Sequence, residues 1–155
     1  MAGREFIPFM FKLPILLLCL SVMPALAARD EIDGPVSARI IRIIDGDTLL
    51  VAATPWPQQT MEVYVRIRGI DAPEMHSKCL EIRKAGLDAR DALEQMTSGI
   101  TDIKLTEISG DKYFGRILAN VTLMDGRNPA QDLLAEGLVR SYDGGRKPRV
   151  ACAEE

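Results

Sequence analysis

Three short clusters hold residues that could do chemistry together: Asp45-Gly46-Asp47-Thr48, Arg66-Ile67-Arg68-Gly69-Ile70-Asp71-Ala72-Pro73-Glu74 and Asp111-Lys112-Tyr113-Phe114-Gly115-Arg116. Asp47 and Asp71 are short carboxylates on separate turns, hard oxygen donors suited to calcium or magnesium and not to softer metals. Glu74 follows Asp71 across Pro73, and its longer side chain can reach past a metal ion to a water. Arg66 and Arg116 carry guanidinium forks that bind phosphate oxygens bidentately. A divalent cation, a carboxylate base and two arginines are what phosphodiester hydrolysis requires, because negative charge grows on phosphate oxygens and fixed cations stabilise it. Each part alone has a plainer reading. Asp-Gly-Asp-Thr is a common turn, Arg66 and Arg68 suit a solvated strand face, and Glu74 suits a helix start. Lys112, Tyr113 and Arg116 suit a surface loop and strand. The combination is more specific than its members.

The surrounding elements must bring these clusters together. Val36–Ile44 and Thr48–Ala53 are rich in Val, Ile and Leu and read as strands interrupted by the Asp45–Asp47 turn. Thr54–Gln59 contains two prolines and reads as a loop. Met61–Arg68 alternates cleanly, with Met61, Val63, Val65 and Ile67 on one face and Glu62, Tyr64, Arg66 and Arg68 on the other. Between Ser77 and Thr97 the apolar residues switch to helical spacing. Asp102–Ile108 and Arg116–Met124 read as two further strands. A short helix follows, with Asn128 as cap, Pro129 at its first position, Gln131 completing a capping-box pattern and Gly137 as its stop. Three strands, a helix, two strands and a short helix is the order of a five-stranded OB-fold barrel, mainly β with α.

Composition narrows the chemistry. The chain has 155 residues, 47% apolar and 26% charged, which fits one folded domain. Its formal charge of −3 argues against a strongly basic nucleic-acid binder but permits an enzyme with a local cationic pocket. One His and three Cys leave few ligands for a Cys/His zinc site. Residues 1–27 begin with Arg4 and Lys12, continue through an apolar run and end in Ala25-Leu26-Ala27, the pattern of a cleavable signal peptide. The alternatives are a membrane anchor, for which the run is short, and lipidation at Cys19, which follows Leu18 where a small residue is usual. Cleavage leaves residues 28–155 with two cysteines, Cys79 and Cys152. An even pair in an oxidising compartment fits a disulfide, with two unpaired thiols as the alternative.

The motifs ARIIRIIDGDTLLV, VRIRGIDAPE, DKYFGRILA and LLAEGLVRSYDGG resemble the staphylococcal-nuclease-like (thermonuclease) family of calcium-dependent nucleases in order and spacing, over Ala38 to Tyr142. The resemblance implies that Asp47, Asp71 and the backbone carbonyl of Ala72 bind calcium. It implies Glu74 as general base, Arg66 and Arg116 as phosphate-clamping residues, and Lys112 and Tyr113 as contacts to the bound nucleotide. Asp45 matches an acidic residue beside the metal. Phe114 departs from the family pattern, inserted between the tyrosine and glycine of the third motif.

The reading that follows is an exported calcium-dependent endonuclease. It would act on DNA and RNA with little sequence preference and leave 3′-phosphate ends, as a monomer without a stable protein partner and without membrane contact after signal cleavage. A non-catalytic OB-fold module that binds nucleic acid or protein is the alternative, and a calcium-stabilised envelope protein is a third. A pure binder has no use for Asp47, Asp71 and Glu74, which repel phosphate. A structural protein leaves Arg66 and Arg116 unexplained. Arg140, Arg146, Lys147 and Arg149 are cations that would extend a track for the strand, or simply solvate the tail. His76 reads as an exposed loop histidine and Trp56 as a local packing residue.

Overall fold

Alternation of Val, Leu and Ile with polar residues wraps five strands around one apolar core. The computed structural model describes residues 30–145, together with Gly3 and Cys152. The elements run β1 (Glu31–Ile32), β2 (Val36–Asp45), β3 (Thr48–Trp56), β4 (Gln59–Ile67), β5 (Gly69–Asp71), α1 (Leu80–Met96), β6 (Asp102–Gly110), β7 (Arg116–Leu123), α2 (Pro129–Ala135) and β8 (Arg140–Tyr142). Antiparallel pairs β2–β3, β3–β4, β6–β7 and β2–β6, with the parallel pair β4–β7, close a five-stranded mixed barrel. This is the OB-fold expected from the element order. Leu49, Val51, Val65, Ile67, Leu105, Val121 and Leu123 fill its interior. Ala89 and Leu93 of α1 are fully buried against the same core.

The strand alternation on β4 holds for Val63, Val65 and Ile67, which are buried, and fails at Met61, which is half exposed near the start of the strand. The predicted loop at Thr54–Gln59 shrinks to a turn at Pro57 and Gln58, with Gln58 at φ 64°. The ladder continues because a register shift between Ala53 and Trp56 accommodates Pro55, which has no N–H for the ladder. Trp56 lies at the end of β3 and is largely exposed, so it is not the packing residue expected. α1 starts at Leu80, three residues later than its periodicity implied, because residues 75–79 turn before Cys79 takes the N-cap position. α2 is capped as expected: Asn128 Oδ1 accepts from the N–H groups of Ala130 at 3.0 Å and Gln131 at 3.4 Å.

Three short elements escaped the sequence pattern. β1 pairs with β6, and β5 pairs with β8 as a separate two-stranded sheet. The second pairing folds the segment after α2 back beside Asp71. Cys79 and Cys152 form a disulfide across 73 residues, tying the chain near its C-terminus to the start of α1. Among the described residues no helix is long and apolar enough to cross a membrane. The expected signal segment 1–27, apart from Gly3, and the tail cations Arg146, Lys147 and Arg149 lie outside the described residues.

Two glycines set how closely α1 approaches the loops that carry the clusters. A Cβ on Gly46 would lie 2.7 Å from Ala89 Cβ and 3.0 Å from Ala72 Cβ. A Cβ on Gly86 would lie 2.6 Å from Pro73 O and 2.9 Å from Met75 N, on either side of Glu74. Gly86 costs α1 about 1 kcal/mol in helix propensity against Ala, and the close approach of the Pro73–Met75 backbone explains its use. Gly86→Ala is therefore expected to lower thermal stability despite the propensity gain, because overpacking against backbone typically costs about 1–3 kcal/mol. A melting temperature above that of the wild type would refute this.

Candidate active site

The β2–β3 turn sets the deepest carboxylate. Asp45 Oδ1 accepts from the Asp47 N–H at 3.0 Å, the side-chain turn for which Asp is favoured. Asp47 thereby points inward and is only 3% exposed. Its Oδ1 accepts from Thr48 Oγ1 at 2.9 Å and from Arg66 Nη1 at 2.5 Å, and its Oδ2 accepts from the Ala72 N–H at 2.7 Å. Burial first, and then the charge of Asp45, push the Asp47 carboxyl up from 3.8 to about 6, against the opposing pull of Arg66, Ala72 and Thr48.

Arg66 projects from the end of β4 and forks between the two aspartates. Its Nη2 donates to Asp71 Oδ1 at 2.8 Å and to Ile70 O at 3.3 Å. Asp71 is 4% exposed and lies at the end of β5. The β5–β8 ladder places Tyr142 opposite Gly69, with its ring 6.0 Å from the Arg66 guanidinium. The sequence alone leaves the place of Tyr142 open. Its only local signal is an aromatic following α2, too little to show that the segment returns to the site.

The third cluster approaches through the parallel β4–β7 pair, where Tyr64 is opposite Arg116 and Arg66 opposite Leu118. Arg116 Nε donates to Asp111 Oδ2 at 2.5 Å, and its guanidinium carbon lies 4.5 Å from the Tyr113 ring centroid. Lys112 Nζ is 5.0 Å from the same centroid. Glu74 lies exposed on the loop after β5, and its Oε1 accepts from the His76 N–H at 3.2 Å. His76 is exposed, as expected.

All three clusters thus meet in one open cleft of about 890 Å³. Asp47, Arg66, Ala72, Glu74, Lys112, Tyr113 and Arg116 line it, and Asp71 lies behind Arg66. The disulfide is apart from this lining. It anchors the chain at Cys79, five residues beyond Glu74.

Arg68 is not a solvated neighbour of Arg66. It donates to the Glu107 carbonyl, to Ser109 Oγ at 3.0 Å and to Glu31 Oε1 at 3.3 Å, and so bonds β1 and the β6 bulge. Glu107 sits at φ 49° within that bulge. The sequence signal was an arginine next to a glycine at a strand end, which does not distinguish surface from clamp.

Among the described residues, no group of three or more His, Cys, Asp or Glu side chains is gathered closely enough to hold a metal. The donor set nevertheless fits a hard cation that completes its shell with backbone carbonyls and water. Asp45, Asp47 and Asp71 place three carboxylates around the Arg66 guanidinium, and burial first, with the charge of Asp45 next, raises the Asp47 carboxyl. No sulfur or imidazole competes among these contacts.

A search of curated proteins gave no match. The family model described as staphylococcal nuclease homologue matches residues 64–154, more than half of the chain. That span includes Arg66, Asp71, Glu74, Arg116 and both bridged cysteines, while Asp45 and Asp47 precede it and join it through Arg66. With the closed OB barrel and the shared cleft, the match identifies the chain as a member of the staphylococcal nuclease homologue family, a nuclease-type domain.

Proposed function

We propose that the protein is an exported, calcium-dependent endonuclease that hydrolyses DNA and RNA with little sequence preference, leaving 3′-phosphate and 5′-hydroxyl ends. The observation that carries this reading is the convergence of Arg66, Arg116 and Glu74 on one cleft over the buried pair Asp47 and Asp71. A module that only binds nucleic acid gains nothing from burying two carboxylates beside its phosphate site, so this observation weighs against the binding alternative.

Asp47, Asp71 and the Ala72 carbonyl would hold calcium, which when bound supplies positive charge to a phosphate oxygen and orients water. Arg66 and Arg116 exchange carboxylate partners for phosphate oxygens, and both contacts strengthen as charge builds in the transition state. Glu74, on its exposed loop, takes the proton from the attacking water. Arg116 stabilises the departing 5′-oxygen. Lys112 and Tyr113 meet the neighbouring phosphate. The protein acts as a monomer. Export is supported by the basic-apolar-Ala-Leu-Ala pattern of residues 1–27 and by the Cys79–Cys152 bridge, of a kind that persists in oxidising compartments.

The test is hydrolysis of single-stranded DNA by the purified protein with calcium, with magnesium and with chelator. Cleavage that needs calcium and leaves 3′-phosphate ends is expected. A folded protein that cleaves nothing with any metal would overturn the reading in favour of the binding module.

A further inference from the structure

We propose that the Cys79–Cys152 bridge is a redox-sensitive latch on the loop that carries Glu74, so that the cleft is competent for hydrolysis in the oxidised protein and loses that competence on reduction. The inference rests on the phosphodiesterase reading of the cleft and deepens it by naming how the same site is regulated.

Neither cysteine lines the cleft, but each follows in the chain a segment that does. Cys79 ends the loop of Ala72, Glu74 and His76, and Cys152 lies further along the chain from Tyr142 and Gly145. The β5–β8 ladder joins the two segments at one end, with Asp71 opposite Arg140, and the disulfide joins them at the other. Glu74 sits between these two ties.

Few other contacts fix the Glu74 loop. The chain between β5 and α1 forms no regular element. The Ser77 N–H donates to Glu74 O at 3.2 Å, the Cys79 N–H to Ser77 Oγ at 3.2 Å, and Arg83 Nη2 to Ser77 O at 2.8 Å. All three link near neighbours in the chain, so they do not fasten the loop to the barrel. Gly86 packs against the Pro73 and Met75 backbone and steadies the loop from one side. The bridge steadies the other. Cys79 is the N-cap residue of α1, and among the described residues its side chain caps no N–H of the first turn. A helix start without that acceptor frays unless something else fixes it, and here the covalent tie does so. Further along α1, Ala89 and Leu93 are buried in the core, so loosening at Cys79 leaves the barrel standing.

Cys152 is exposed, which opens the bridge to a dithiol reductant. One thiolate of the dithiol attacks the Cys152 sulfur and Cys79 leaves as a thiolate. The second thiol of the reductant then displaces Cys152 and closes to a disulfide. Two electrons pass to the bridge, and the two protons of the dithiol end on Cys79 and Cys152. Thiols stay reduced in a cytoplasm, and bridges persist in oxidising compartments. On the proposed export route the chain therefore has a loosened Glu74 loop while it shares a compartment with the cell's own nucleic acids, and it becomes competent only after the bridge forms.

The experiment compares oxidised wild type, wild type reduced with dithiothreitol, and Cys152→Ser, in calcium and below the melting transition of each. Hydrolysis of single-stranded DNA is measured per folded molecule, with circular dichroism as the measure of folding, beside amide hydrogen exchange. Reduction is expected to lower kcat by roughly 10- to 100-fold, the loss from a misplaced reacting group. KM changes little, because Arg66, Arg116, Lys112 and Tyr113 lie outside the latch. Reoxidation restores kcat, and Cys152→Ser matches reduced wild type and ignores the reductant. The amides of Ser77, Cys79 and Arg83 exchange faster on reduction. Equal kcat in the oxidised and reduced proteins overturns the inference, as does a reduced protein that has unfolded altogether. So does faster exchange confined to the barrel strands, which is the mark of a bridge that only cross-links the unfolded chain. Should oxidised wild type cleave nothing, the nuclease reading fails by itself and the exchange measurement decides the latch. Faster exchange at Ser77, Cys79 and Arg83 sustains it, and unchanged exchange there overturns it.

Discussion

Glu74→Gln and Arg116→Ala are each expected to lower kcat for calcium-dependent hydrolysis by roughly 10²–10³-fold, the loss typical of removing one group that acts only in the transition state. Glu74 is the cleaner position because it is exposed and its carboxylate accepts only the His76 N–H among the side-chain bonds described. Gln keeps that acceptor and the side-chain length while removing the base, so the fold and the calcium-induced rise in melting temperature are expected to survive. Arg116→Ala leaves Asp111 without its 2.5 Å partner, but that carboxylate sits at the cleft edge where water replaces the guanidinium. Arg66 cannot be treated the same way. Truncating it removes the guanidinium that Asp47 and Asp71 share, both almost fully buried, and breaking such an ion pair typically costs about 3–5 kcal/mol. Arg66→Lys keeps the charge and loses the fork, and so tests the bidentate contact in a folded protein. Stopped assays under saturating substrate, beside thermal melts with and without calcium, separate the two kinds of loss. Wild-type kcat in Glu74→Gln would remove Glu74 as the base and leave the arginines and the cation as the catalytic groups.

The sequence carried the barrel and the site to different depths. Strand alternation and the 3.6-residue period between Ser77 and Thr97 located five barrel strands and both helices, because burial imposes those periods directly. β5 and β8 are three residues each, too short to show any period, yet their pairing sets Tyr142 near Arg66. The residue types of the three clusters were legible because hard donors, a longer carboxylate and two guanidinium forks suit one chemistry. Their actual contacts were not. Arg66 bridges Asp47 and Asp71 from 19 and 5 residues away, and nothing in the spacing shows that both carboxylates are buried. Arg68 has the same residue type two positions on, just past the end of β4, and also borders the cleft, but its guanidinium is held by Glu31, the Glu107 carbonyl and Ser109, contacts that only the tertiary fold supplies. Gly46 and Gly86 looked like a turn residue and a weak helix position. Their reason is the backbone that passes against them, a tertiary contact with no local signature.

Asp47→Asn is expected to make the metal-free protein more stable near neutral pH and to abolish the stabilisation by calcium that the proposed site predicts. The folded state holds the Asp47 carboxyl at about 6, above its ordinary value of 3.8, first because of burial and next because of Asp45. A raised acid pKa means that the folded state binds the proton more tightly than the unfolded chain. The resulting stability is fully present below the unfolded value, declines as pH rises through the interval from 3.8 to about 6, and is gone above it. The loss is about 3 kcal/mol, at about 1.36 kcal/mol for each pH unit of that interval. Asparagine has nearly the shape of the protonated carboxyl and does not ionise. The variant should therefore be no more stable than wild type in chelator below about pH 4, where its amide NH2 faces a donor that the carboxylate oxygens accept from, and should gain on wild type as pH rises through the interval to about 6. If Asp47 holds calcium as proposed, calcium is expected to reverse the order at neutral pH, since a ligand bound only by the folded wild type stabilises it by mass action, while the substitution removes a charged donor. Urea unfolding across pH, in chelator and in calcium, reads both effects. A variant less stable than wild type in chelator near pH 7.5 would show that the contacts from Arg66, Ala72 and Thr48 outweigh the burial of the charge. An unchanged calcium response would place the cation elsewhere. The expected pattern would identify Asp47 as a residue ionised at neutral pH against its buried surroundings, a local instability that the proposed cation would relieve.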